Sequence, residues 1–309
     1  MKLRRAGRKN QRDLQILVKT SLGCNVKQWW AAYAVPVQVD AQRAAIILPS
    51  HAPLKICIFP MTSPRFFSAL PLPRPCQPGS AFAVSEAVAR HLQVLRIATG
   101  EEITLFDGAG GEFAATVATI GKRDATVTLT AFNPVERESP ISITLVQALA
   151  TADKMDLIVQ KAVELGVTSI APIATARATL KLDGERAEKR VSHWQAIAVA
   201  ACEQCGRNRV PLVHGVQTLD QWLKKSHEGG SVLLDPLAEK PLLGSIDAGK
   251  PIALLIGPEG GFTDDEIARA VAHGAIAAKF GPRILRTETA GIAAIAALAA
   301  RFGDLGAAV

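Results

Sequence analysis

Residues 252–267 read IALLIGPEGGFTDDEI: a short apolar run suited to a buried strand, a loop with three glycines, and a helix start. Thr263 and Glu266 have the T-x-x-E spacing of a capping box, so a helix is predicted over DDEIARAVAHG. Asp264 and Asp265 then complement the positive end of that helix dipole, which explains the pair without acid–base catalysis. His273 falls near the other end, where a terminal stabilising role is expected. Strand, loop and capped helix are the repeating step of an α/β domain, which binds ligands at the carboxyl ends of its strands. The loop GPEGGF, residues 257–262, fits neither a Walker loop nor a dinucleotide fingerprint. It has no Lys, Pro258 removes a backbone donor, and Glu259 repels phosphate. The ligand expected here has a cationic or hydrogen-bond-donating part and approaches the backbone at Gly260 and Gly261.

The same alternation extends upstream. ISITLVQAL (141–149) reads as a strand, and DKMDLIVQKAVELG (153–166) as a helix with Met155, Ile158, Val159, Ala162 and Leu165 on one face and Gly166 as its stop. TSIAPI is a strand, GERAEKRVSHWQAIAVAACEQ a long helix, and SVLLD a further strand before IALLIG. Before this region lies a different pattern. A Pro-rich entry, PLPRPCQPG, leads to a helix capped by Ser85 that presents Val88, Leu92 and Leu95. Three β-rich runs follow, EEITLFDG, GEFAATVATIG and DATVTLTAF, whose spacing suggests a small barrel. Asn133-Pro134 and VERESP read as a linker.

The formal charge of +7 is unevenly distributed. Residues 1–60 hold ten Lys or Arg against two Asp, so the remainder is near neutral and any RNA-binding face there must be a local patch. That basic segment is expected to be an extension, disordered or upstream of a natural start at Met61. No apolar run is long enough to span a membrane. Five scattered cysteines suit a reducing cytoplasm better than a disulfide framework. Cys202 and Cys205 form a CxxC, but no further ligand pair accompanies them, so they read as small helix residues and no metal is expected.

KFGPRILRTETAGIAAIAALAARFG (279–303), with LLIGPEGGFTDDEI and EQCGRNRVP (203–211), closely resembles the bacterial family that methylates N3 of a uridine in 16S ribosomal RNA, within the SPOUT superfamily. The resemblance runs from about Met61 to the C-terminus. It implies a PUA-like RNA-binding barrel over 61–134, matched by HLQVLRIATGEEITLFDG. It further implies a SPOUT methyltransferase domain over 135–309 with a deep C-terminal trefoil knot, and Gly291, Ala293, Ala294, Ala296 and Ala297 give the last helix the thin profile a tight crossing needs. Two positions depart from the family pattern: Ala176 where an acid is usual, and Cys205 where Ser is usual.

By that resemblance the cofactor is S-adenosylmethionine, held by Leu234, Asp235 and Pro236, by Gly257, Pro258, Glu259, Gly260 and Gly261, and by Ile284, Leu285, Arg286, Thr287, Thr289 and Ala290. A ligand with a sulfonium and no phosphate suits a glycine loop with an acid and no Lys. Methylation at uracil N3 requires stabilised negative charge and a proton acceptor. Arg207, Arg209 and Arg286 are candidates for the first, Glu203 and Glu288 for the second. Arg96, Lys154, Lys161 and Arg177 are candidate phosphate contacts. The expected substrate is the small ribosomal subunit, and a cytoplasmic homodimer is implied. A ribose 2′-O-methyltransferase and a non-catalytic assembly factor are alternative readings, and a third, an unrelated phosphate-binding α/β enzyme, fails on the missing Lys and the acidic loop.

Overall fold

The computed structural model describes residues 63–225 and 229–306, together with two short strands, β1 (Gln38–Asp40) and β2 (Ala45–Ile47), that pair antiparallel. Those strands belong to a separate unit ending at Thr62; beyond them, the expectation for residues 1–60 lies outside the described residues.

From Ser63 onward the chain forms one unit with two sheets. The first contains β3 (Arg65–Phe67), β4 (Ala81–Ala83), β5 (Glu102–Phe106), β6 (Glu112–Ile120) and β7 (Ala125–Asn133), in the order β3-β5-β6-β7-β4. The β3–β5 pair is parallel and the others antiparallel, and two bulges interrupt the long β6–β7 ribbon. Alternate residues of β6, Phe113, Ala115 and Val117, point inward with Leu105, Val127 and Leu129. Helix α1 (Glu86–Val94) closes this core with Val88 and Leu92, and its N-cap Ser85 accepts the Val88 N–H. Leu95, expected on the same face, is instead the C-cap and is 48% exposed, because the helix stops one residue before it.

The second sheet is wholly parallel. It contains β8 (Ile143–Ala148), β9 (Ser169–Ala174), β10 (Leu212–Val213), β11 (Gln217–Thr218), β12 (Gly230–Leu234), β13 (Ile252–Ile256) and β14 (Ile276–Ala278). Its order is β10-β9-β8-β13-β12-β14, with β11 also paired to β9. Every residue of β13 is buried, as expected of a central strand covered on both faces. The helices are α2 (Ala152–Glu164), α3 (Gly184–Cys205), α4 (Leu219–Leu223), α5 (Asp264–Ala272) and α6 (Thr287–Phe302). Met155, Ile158, Val159 and Ala162 of α2 are fully buried, and Gly166 ends that helix at φ +90°. The chain leaves β14 at the sheet edge and returns across it, so that α6 packs on α2, β8 and β13. Cys202 and Cys205 lie in the last turn of α3, and burial pushes the Cys202 thiol up to about 12, so it stays protonated at neutral pH.

The residues read as a linker are tightly bonded. The Val135 carbonyl accepts from Asn208, Glu136 accepts the Gly111 N–H, Arg137 donates to the Gly206 carbonyl (2.9 Å) and to Glu112 (3.2 Å), and Glu138 pairs with Arg207. Arg207 is only 4% exposed, and its other terminal nitrogen donates to the carbonyls of Val163 (2.9 Å) and Val167 (3.0 Å). Arg65 of the first sheet reaches into the same cluster, bonding Asn208 at 2.7 Å and pairing with Glu112. Arg207→Met leaves Glu138 without its partner and is expected to cost about 3 kcal/mol. Arg209→Ala, which removes a half-exposed side chain paired with Glu136 only at 3.6 Å, should stay within about 0.5 kcal/mol. Urea unfolding monitored by circular dichroism measures both, and equal losses would contradict this account.

Candidate functional site

Leu234 ends β12 and Ile256 ends β13, two adjacent parallel strands, so the chain leaves the sheet twice at neighbouring points on its carboxyl edge. The loops diverge and leave a cavity of about 600 Å³. Three of the expected segments meet there: Leu234, Asp235 and Pro236; Gly257, Pro258, Glu259 and Gly261; and Ile284, Leu285, Arg286, Thr287 and Ala290. Gly260 and Thr289 fall outside the lining, while Lys154, Arg177, Leu237, Ile256, Phe262, Asp264, Ile267, Phe280, Gly281 and Arg283 complete it.

The glycines also serve packing and turn geometry within the loop. A Cβ on Gly260 would come within 3.1 Å of the Arg177 Cβ, and one on Gly257 within 3.2 Å of Phe262, so either side chain would press on the packing behind the loop. Gly261 has open space around it but φ of +69°, which other residues rarely adopt. The Pro258 carbonyl accepts the Gly261 N–H at 2.9 Å, closing the turn. After it, Thr263 and Glu266 form the capping box of α5, and Glu266, buried, also accepts the Ala176 N–H at 2.8 Å. Arg177 donates from one nitrogen to the carbonyls of Gly260 (3.1 Å) and Phe262 (3.2 Å). This residue, read as a phosphate contact, clamps the glycine loop.

Lys154, also read as a phosphate contact, donates to Glu259 at 3.0 Å and lies 3.5 Å from Glu288. The Thr151 N–H reaches the same Glu259 oxygen at 3.2 Å. Burial would push the Glu259 carboxyl up, but its own backbone N–H, Lys154 and Thr151 outweigh that and hold it below the usual carboxylate range. Glu259 is therefore not a bare anion waiting for a cation; its charge is met within the chain. Thr287, at the first turn of α6, donates its hydroxyl proton to the Gly257 carbonyl at 2.6 Å and accepts from Gln147, at the end of β8, at 3.0 Å. Arg286 is the N-cap of α6, exposed beside the cavity, and supplies no side-chain cap, so the first-turn N–H groups of that helix are not capped by it.

The remaining candidates lie elsewhere. Arg207, expected to stabilise an anion, is buried and spends its Nε and both terminal nitrogens on Glu138 and two carbonyls. Glu203, a candidate proton acceptor, receives the Phe67 N–H at 2.9 Å and sits 3.8 Å from His91, at the junction with the first sheet. Arg209 pairs with Glu136 beside Gly110. Lys161 pairs with Glu164 one turn along α2, and Arg96, exposed at φ +58°, follows the end of α1. The sequence reading passed over β14 and the Phe280–Arg283 stretch, although AIAAKFGP carries an apolar run ending in a Gly-Pro break that could have marked both.

Two family profiles match the chain, one described as an RNA methyltransferase domain over residues 137–299 and one as an RNA methyltransferase PUA domain over residues 84–130. Ribosomal RNA small subunit methyltransferase E of Buchnera aphidicola is 32% identical over 74% of this chain and 94% of its own length. Its Bacillus subtilis counterpart is 30% identical over 70% and 89%. Among solved structures, the Neisseria gonorrhoeae ribosomal RNA small subunit methyltransferase E bound to S-adenosyl methionine superposes with a TM-score of 0.72 at 40% identity, over 78% of this chain and 99% of that one. A Legionella pneumophila methyltransferase in complex with bound cofactor SAM gives 0.73 at 38%, over 79% and 99%. With a profile covering more than half its length and relatives matched over nearly their whole length, the chain belongs to the ribosomal RNA small subunit methyltransferase E family of RNA methyltransferases.

Proposed function

We propose that this protein transfers the methyl group of S-adenosylmethionine to N3 of a uridine in 16S ribosomal RNA, within assembled or nearly assembled small subunits. The observation that carries this reading is the convergence of residues 234–236, 257–261 and 284–290 on one cavity at the carboxyl edge of a parallel sheet. The residues present fit the cofactor. Leu234, Ile256, Leu285 and Ala290 offer apolar faces to a flat ring, and the loops offer backbone N–H and C=O groups to its edges. Arg286, Arg283, Asp235 and Asp264 surround that apolar floor, so the ends of a zwitterionic ligand find both signs of charge.

When bound, S-adenosylmethionine supplies an electrophilic methyl group on its sulfonium. The protein must then hold uracil N3 in line with that methyl, accept the N3 proton and stabilise the charge spread over N3 and its flanking carbonyls. Arg286, an exposed cation at the cavity next to the cofactor-loop residues Leu285 and Thr287, takes the stabilising role. Of the two acids considered for the proton, Glu288 is the better placed, since it neighbours Lys154 at the cavity whereas Glu203 is bonded at the sheet junction. Arg209 and Arg96, both exposed, bind RNA backbone in this reading, as does Lys161 on α2. Residues 61–134 form a PUA-like barrel and residues 135–309 the SPOUT domain. The return of α6 from the β14 edge to α2, with Gly291 and Ala294 buried at the crossing, supports a trefoil knot. A homodimer acting in the cytoplasm completes the proposal. Among the described residues no helix is long and apolar enough to cross a membrane.

Incubating the full chain with labelled S-adenosylmethionine and small subunits from a strain lacking the activity should yield 3-methyluridine by mass spectrometry of the digested RNA. A ribose methyl would overturn the base assignment, and RNA binding without transfer would favour an assembly factor. Arg286→Ala should lower turnover far more than S-adenosylmethionine affinity, by on the order of a hundredfold, as for removal of one oxyanion donor.

A second expectation concerns Glu259. Its carboxyl is held below the ordinary range, so its tie to Lys154 and Thr151 is fully present above the usual carboxylate value and is lost as pH falls through the lowered folded value. Cofactor affinity, measured by calorimetry, should be insensitive to this pair across neutral pH. Glu259→Gln should weaken binding by roughly tenfold through loosening of the loop. An unchanged affinity would mean that the tie does not shape the site.

A further inference from the structure

Gln147 is the last residue but one of β8, fully buried, and outside the cavity lining. Its surroundings fix the direction of its hydrogen bonds. Thr287 has a single hydroxyl proton and gives it to the Gly257 carbonyl at 2.6 Å, so toward Gln147 it can only accept. The other neighbour of the Gln147 amide, the Ala148 carbonyl at 2.9 Å, is an acceptor as well. The NH₂ end must therefore face both, and Oε1 must face away. That oxygen is buried with no donor among the described residues, and it points toward α6 at Gly291, where a Cβ would stand 3.6 Å from it.

We propose that Gln147 is a positioning residue for the methyl-donor site. Its amide fixes the rotamer of Thr287, and Thr287 in turn holds the Gly257 carbonyl and the first turn of α6 at one separation. The polarised series Gln147 → Thr287 → Gly257 links the ends of β8 and β13 to the N-terminus of α6, two of these three segments being cofactor loops. A Gln retained for stability alone would not leave its own oxygen unpaired in the interior, because an apolar residue of the same size fills that space without the desolvation cost. This inference rests on the proposed binding of S-adenosylmethionine in the cavity.

The test uses Gln147→Met, which preserves volume and removes both the amide donors and the orphaned oxygen. Thermal unfolding should be unchanged or shifted upward, while the Kd for S-adenosylmethionine by calorimetry rises about tenfold, the two moving independently. Thr287→Ser, which keeps the hydroxyl, should bind nearly as the native chain does, and Thr287→Val should lose affinity. The double variant Gln147→Met/Thr287→Val should bind no more weakly than Thr287→Val alone, because Gln147 acts through that hydroxyl. An unchanged Kd in Gln147→Met, or losses that multiply in the double variant, overturns the proposal. If Gln147→Met does not fold cooperatively, the Thr287 serine–valine comparison decides, equal affinities of the two overturning it. A native chain that fails to bind S-adenosylmethionine would instead overturn the cofactor reading.

Discussion

The buried guanidinium of Arg207 organises the molecule. A guanidinium cannot shed its charge at any physiological pH, so a chain that buries one must bring acceptors to it. The acceptors here come from separate places: Glu138 from the segment joining the two sheets, and the carbonyls of Val163 and Val167 from the turn that ends α2. That turn requires Gly166 at φ +90°, and a Cβ there would also stand 3.0 Å from Ser139. The end of α3, the end of α2 and the connecting segment are thus committed to one point. Arg65 and Arg137 attach the first sheet beside it. The thirteen residues of α2 form a strut roughly 20 Å long, with this cluster at one end and Lys154 beside the cavity near the other. The first sheet is consequently held at a set distance from the site.

At the cavity the same economy of charge recurs. Glu259 in the glycine loop faces Lys154 of α2, and Glu266 of α5 is buried against backbone N–H groups. Each acid ties one loop to another element, so the loops at the sheet edge are positioned by ionic and hydrogen-bonded contacts rather than by apolar packing alone. The exposed apolar side chains Leu237 and Ile284 stand at the rim, while Leu234 and Ile256 line the floor. A polar ring on an apolar floor binds a ligand by its edges and faces together.

Much of this was legible in the sequence because the signals are local. The stripe of Met155, Ile158, Val159 and Ala162, the stop at Gly166, and the Thr263–Glu266 box each depend on residues within one or two turns. The three loops were legible through motif resemblance. What could not be read depends on contacts distant in sequence. Nothing near Arg207 announces that Glu138 will neutralise it, and an arginine within a motif looks the same whether it faces substrate or the interior. Nothing near Arg177 and Lys154, read as phosphate contacts, announces that they also hold Gly260, Phe262 and Glu259. Strand β14, only three residues from Ile276 to Ala278, carries little β-branching or alternation, so the Gly-Pro break after it is the one local mark of its place.

The glycine loop itself answers the question its sequence poses. Gly257 and Gly260 are small because Phe262 and Arg177 press on them from behind, and Gly261 because the turn needs a positive φ. Gly257 and Gly261 line the cavity, so the loop presents backbone groups to it, and their aim decides what they can bond. Aim is set from outside the loop, by Arg177 on the carbonyls of Gly260 and Phe262, by Thr287 on that of Gly257, and by Lys154 and the Thr151 N–H on Glu259. An acid that seems misplaced beside a ligand pocket is, in this loop, part of what keeps the pocket in shape.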